Sequence, residues 1–124
     1  MKLWKLSGVF LIATGIIHTI VGLIIGWTIL GEIIKEGLFN TVVTQHDRNA
    51  VIWFILCGVF WIMIGHFLHI YLKEINMPVP RFIGWYFLII SLFGVLISPI
   101  SGFWLFIPQA LIIILAHPKR ALPH

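Results

Sequence analysis

Few side chains in this sequence are equipped for chemistry, and those few sit where polar groups are costly. His18 interrupts the apolar run GIIHTIVGLIIG, while Thr14, Ser91 and Gln109 interrupt apolar stretches elsewhere. A neutral imidazole carries one donor and one acceptor, so His18 could grip a carbonyl or hydroxyl of a lipid-like molecule such as a quinone, or pass a proton to it. An ionisable group far from water is expensive unless it has a partner, which makes it a candidate site by default. The plainer alternative is an interhelical hydrogen bond, for instance to Gln109 or Ser91. A second constellation is QHDRN, in which Asp47, Arg48 and Asn49 precede an apolar run. There an Asx side chain caps free helix amides and an arginine anchors to lipid phosphate; the functional alternative is an outer gate at which Arg48 meets an anionic headgroup.

The elements that must position these groups are membrane-spanning helices. Hydrophobic residues make up 60% of the chain and charged ones 10%, with a mean hydropathy of +1.09, well outside the range of a soluble domain. A span needs about 20 apolar residues to cross ~30 Å of hydrocarbon. The expected helices cover about residues 7–30, 50–72, 82–100 and 102–117, with an external interfacial loop at 31–49, all in one transmembrane domain over 1–124. With four crossings, Lys2, Lys5, Lys73, Arg81, Lys119 and Arg120 fall on one side and only Lys35 and Arg48 on the other. Basic residues collect on the cytoplasmic side, so both termini are expected there. The fold class is therefore an all-α integral-membrane antiparallel four-helix bundle. The net charge of +4 is a topology signal and not a nucleic-acid patch. One cysteine excludes an intrachain disulfide, and the spans hold no acidic residue of the kind that cation-coupled transport uses.

Rotation about the first helix decides what His18 faces. Gly8, Gly15, Gly22 and Gly26 are spaced by seven, seven and four, which lines them along one face and lets another helix approach. His18 falls beside that seam. Counted from the basic inner boundary at ~1.5 Å per residue, His18 lies roughly 19 Å up, Trp61 about 18 Å, Ser91 and Gln109 about 15 Å and Trp104 about 22 Å. The expected site is thus a mid-membrane pocket of His18, Thr14, Ser91 and Gln109 roofed by Trp61 and Trp104. The same count separates His18 from His66 and His69 by roughly 9 Å or more, too far for two axial ligands of one haem. No metal ligand set is expected.

The segments GIIHTIVGLIIG, DRNAVIWFILCGVFWIMIG, MPVPRFIGW and SPISGFWLFIPQ together resemble a family of small bacterial membrane proteins catalogued as a domain of unknown function, over nearly the whole chain. The resemblance implies a four-helix protein of the bacterial cytoplasmic membrane, multi-pass, with no activity attached to any residue. The resulting expectation is a protein that binds a small hydrophobic or lipid-like ligand around His18, with membrane lipids and a second copy of the chain as candidate partners. Two alternatives stay open: a quinone- or haem-dependent membrane enzyme, and an accessory subunit that oligomerises through its glycine seams.

Overall fold

A computed structural model describes residues 2–42 and 44–116. Lys119 and Arg120, which enter the charge count, and the expected end of the last helix at 117 lie outside the described residues. Among the described residues five α-helices follow in order: α1 (Ser7–Ile25), α2 (Trp27–Lys35), α3 (His46–Ile75), α4 (Arg81–Ile97) and α5 (Phe106–Leu115). Short 3-10 turns at Leu3–Leu6 and Gly102–Leu105 lead into α1 and α5. The described residues contain no strand, so the all-α expectation holds.

The helix boundaries depart from the apolar runs for local reasons. The first helix stops at Ile25 instead of reaching residue 30, because Gly26 (φ −89°, ψ 7°) leaves helical geometry and α2 starts at Trp27. Gly26 abuts Val51 of α3, so the direction change sits where a side chain would collide. The loop expected over 31–49 accordingly contains most of α2, whose only buried residue is Ile33. In the opposite sense α3 outruns its apolar run at both ends, from His46 to Ile75, since backbone hydrogen bonding continues through polar residues. Asn76, in the left-handed region (φ 53°, ψ 35°), ends it and donates its N–H to Leu72 O. The segment expected at 102–117 divides into a turn and α5, with Pro108 in the first turn, where no N–H is needed.

The glycine seam is the joint between α1 and α3, which run antiparallel. A Cβ on Gly15 would come within 2.8 Å of both Gly58 O and Ile62 N, and one on Gly65 within 2.7 Å of Ile12 N and 2.9 Å of Gly8 O. Gly8 meets the backbone of His69 in the same way. The second pair, α4 and α5, closes on Gly84, whose absent Cβ leaves room for Ala110 O at 3.1 Å, and on Gly94, which receives the Phe103 ring. These seams are occupied within the chain; Gly31, Gly37 and Gly102 are the glycines with open space around them. The apolar core joins Leu11 of α1, Leu68 and Leu72 of α3, and Phe106 and Ile113 of α5.

The surface is the more unusual half of the fold. Ser7, Thr14, Ser91 and Gln109 are buried, while Ile24 is 71% and Leu96 79% exposed. Two helices, Leu3–Ile25 and His46–Ile75, are long and apolar enough to cross a membrane, and α4 and Gly102–Leu115 are shorter apolar helices.

Candidate functional site

Gln109 and Thr14 meet inside the molecule, tying α5 to α1. Gln109 Nε2 donates to Thr14 Oγ1 at 2.7 Å and to Leu105 O at 3.0 Å, while Thr14 Oγ1 donates to Phe10 O at 2.8 Å. Gln109 is 7% exposed, and its Oε1 is a buried acceptor with no partner among the described residues. A buried orphan of this kind costs about 1–3 kcal/mol, offsetting much of what the two donated bonds contribute. Gln109→Leu is therefore expected to leave stability within about 1 kcal/mol of wild type, since it removes the orphan together with the donor. Thr14→Ala is expected to lower it by about 1–2 kcal/mol, because one Gln109 proton then loses its acceptor. Thermal unfolding of both variants in the same detergent checks the ordering, and a Gln109→Leu protein less stable than Thr14→Ala would refute it.

His18 does not join that pair. Its Nε2 lies 2.9 Å from Phe54 O on α3, and its ring stacks on the Phe54 ring with centroids 3.8 Å apart and planes 16° from parallel. A carbonyl only accepts, so this nitrogen carries a proton. The shared depth inferred from counting does not bring His18 to Gln109: Gln109 bonds Thr14, one turn before His18 on α1, while His18 turns to α3. The contact is interhelical, as the plainer alternative supposed, with a different partner.

The other members of the expected pocket are likewise satisfied elsewhere. Ser91 is fully buried and turns its hydroxyl back to Phe87 O (2.7 Å) and Leu88 O (3.0 Å) of its own helix. Trp61 packs on Phe106 (4.7 Å between centroids) and edge-on to Phe87 (6.0 Å). Trp104 is exposed and donates its indole N–H to Pro99 O at 2.8 Å, closing the turn between α4 and α5 instead of roofing a pocket. The haem alternative meets a geometric obstacle too: His69 lies against Gly8, ten positions along α1 from His18, or roughly 15 Å.

The cavity that does open beside His18 lies further out along the α1–α3 joint. It holds about 210 Å³ and is lined by Gly22, Ile25, Ala50, Val51 and Phe54, almost entirely apolar. Phe54 is thus shared between the cavity wall and the His18 contact. Gly22 forms the floor because α3 can press Phe54 and Ile55 against it. Phe54 escaped the sequence reading, since a backbone carbonyl acceptor leaves no mark on residue type.

At the QHDRN stretch, capping is done differently from expectation. Gln45 holds the N-cap position of α3 without a side-chain bond, Asp47 is exposed in the first turn, and Asn49 Nδ2 donates to Val42 O at 3.2 Å. Arg48 is 4% exposed and already engaged. Its Nη1 and Nη2 reach Glu36 at 2.7 and 2.8 Å, Nη1 also donates to Thr41 O at 2.9 Å, and Nη2 approaches Glu32 at 3.5 Å. Hydrogen bonding from Arg48 holds the Glu36 carboxyl below its ordinary pKa, partly opposed by desolvation and assisted by the Arg48 charge. The guanidinium is the clasp of the loop, with its Nε–H left as a buried donor without a partner among the described residues. Glu32 and Glu36, four apart on one helical turn, were the legible sign of its partners.

A family model described as "Family of unknown function (DUF6463)" matches residues 2–120. No curated protein and no solved structure matches the chain.

Proposed function

Since the chain belongs to the family of unknown function DUF6463, whose description supplies no activity, we propose from its geometry a multi-pass protein of the bacterial cytoplasmic membrane that holds a small hydrophobic or lipid-like molecule in the α1–α3 cleft. The observation that carries the membrane part is the inverted surface. The core helix of a soluble protein is mostly buried, whereas 28% and 17% of the apolar windows of the two long helices are buried here. Lipid is the solvent that tolerates such faces, and it also explains why glycine, serine and glutamine are turned inward. Among the described residues Lys2, Lys5, Lys73 and Arg81 belong to one end, and Lys35 and Arg48 to the other. That asymmetry favours a cytoplasmic N-terminus. α1, α3, α4 and α5 then form the four crossings, with α2 lying at the outer interface.

The ligand part rests on the cleft. Its apolar lining suits an alkyl or isoprenoid segment, and His18 acts as a positioning residue that fixes the Phe54 wall. Ala50→Trp fills the cleft from an exposed position without entering the seam. Mass spectrometry of molecules extracted from gently solubilised wild type is expected to find one hydrophobic species at near-stoichiometric amount, reduced about tenfold in Ala50→Trp, equivalent to ~1.4 kcal/mol. His18→Ala is expected to weaken retention while leaving helicity intact. The same mixed lipids at the same level in all three proteins would end the ligand reading.

A further inference from the structure

The N-terminal turn and the end of α3 enclose a second concavity, at the opposite end from the loop clasp. It holds about 480 Å³ and is lined by Lys2, Trp4, Lys5 and Asn76. We infer that this notch binds the phosphate group of an anionic phospholipid at the inner leaflet, an inference that rests on the membrane reading above.

The local backbone builds the notch. Lys5 N–H donates to Lys2 O at 3.1 Å, closing the 3-10 turn. Lys2 is the extended residue that caps the turn, and it and Lys5 both line the notch. Trp4, between them in sequence, packs against the apolar core and supplies a fixed wall, with Lys5 Nζ 5.5 Å from its ring centre. Asn76 adds an exposed amide whose position is set by the left-handed cap of α3. No carboxylate lines the notch, and neither lysine is ion-paired among the described residues.

Two mobile point charges and an amide donor are the chemistry of phosphate recognition without the fork geometry that arginine imposes. An indole beside them sits well at the depth of headgroups. The volume exceeds what a bare phosphate occupies, leaving room for the glycerol that a phospholipid carries. Arg48 makes the contrast: it is ion-paired with Glu36 and Glu32, whereas neither of these inner lysines meets a carboxylate among the described residues.

The test uses the full chain reconstituted in vesicles of phosphatidylcholine and phosphatidylglycerol, with bound lipid read by native mass spectrometry after transfer to detergent. Wild type is expected to retain phosphatidylglycerol over phosphatidylcholine by roughly thirtyfold, the preference two lysines near a phosphate can supply. The double variant Lys2→Gln, Lys5→Gln is expected to lose that preference, and Lys73→Gln, at the same end but outside the notch, to keep it. Equal retention of both lipids by wild type, or an equal loss in Lys73→Gln, overturns the notch. Displacement of the lipid by millimolar inorganic phosphate alone overturns the lipid as the source of the phosphate. Release of the chain from vesicles by alkaline carbonate overturns the membrane reading itself and the inference with it.

Discussion

Gly15→Leu is expected to drive α1 away from α3 and to remove most of the cooperative unfolding transition of the solubilised protein. A Cβ at this position lands 2.8 Å from Gly58 O and Ile62 N, so the first obstacle is backbone, which cannot swing aside as a side-chain tip can. Overpacking of a tight joint costs about 1–3 kcal/mol even where side chains give way. Here the helices must separate, and the loss reaches Gly8 against Gly65 because both contacts share one antiparallel register. His18 would also lose Phe54 O, its interhelical acceptor. In the proposed membrane placement lipid supplies no hydrophobic drive to press the helices together again, so lost van der Waals contact is not recovered. Gly102→Leu is the matched control, since nothing lies within 4 Å of a Cβ there; a shift within about 0.5 kcal/mol is expected. Thermal unfolding followed by circular dichroism compares the two, and a Gly15→Leu protein that melts with wild type would remove the seam from its structural role.

The seam was readable because its information is periodic: Gly8, Gly15 and Gly22 repeat at seven, and only a close neighbour makes such a repeat useful. What could not be read was which glycine answers which, because register depends on the partner helix, and α3 starts four residues before its apolar run. His18 illustrates the limit for the site. Depth follows from counting, but Thr14 and His18, one turn apart on α1, look toward different helices, α5 and α3. Their partners are a side chain in one case and a backbone carbonyl in the other, and only the first belongs to a residue type that sequence can flag. The break at Gly26 was hidden for a related reason, since Gly22 and Gly26 look alike in spacing while only one of them ends a helix.

Arg48→Gln is expected to release the loop between α2 and α3, with amide protection lost at Gly37, Leu38 and Phe39, whose N–H groups are hydrogen-bonded in it. Gly37 (φ 94°), Leu38 (φ 68°) and Asn40 (φ 57°) all hold the left-handed region, and for a side chain such as leucine that conformation costs about 1–2 kcal/mol. Something must hold the turn in that shape, and the hydrogen bonds converge on it: Arg48 on Glu36 and Thr41 O, Thr41 Oγ1 on Leu38 O, and Asn49 on Val42 O. The consequence of the shape is that Phe39 stands 93% exposed at the tip. Without the guanidinium, Glu36 loses both short bonds and the backbone is free to leave positive φ. Arg48→Lys is expected to recover only part of the protection, since an ammonium cannot make the two-pronged contact. Acid should do to wild type what the substitution does. Glu36 has its pKa lowered by Arg48, so its contribution is complete above the ordinary value of 4.5 and disappears as pH falls through the lower folded-state value. Hydrogen-exchange protection factors of the loop amides, measured at neutral pH and in acid, are expected to fall for wild type and to stay uniformly low for Arg48→Gln. Glu36→Gln at neutral pH should resemble wild type in acid, because in both the carboxylate charge is gone while the size of the side chain is kept. Unchanged loop protection in Arg48→Gln would mean that the turn is held by its own backbone, and the clasp would then be a consequence of the loop instead of its cause.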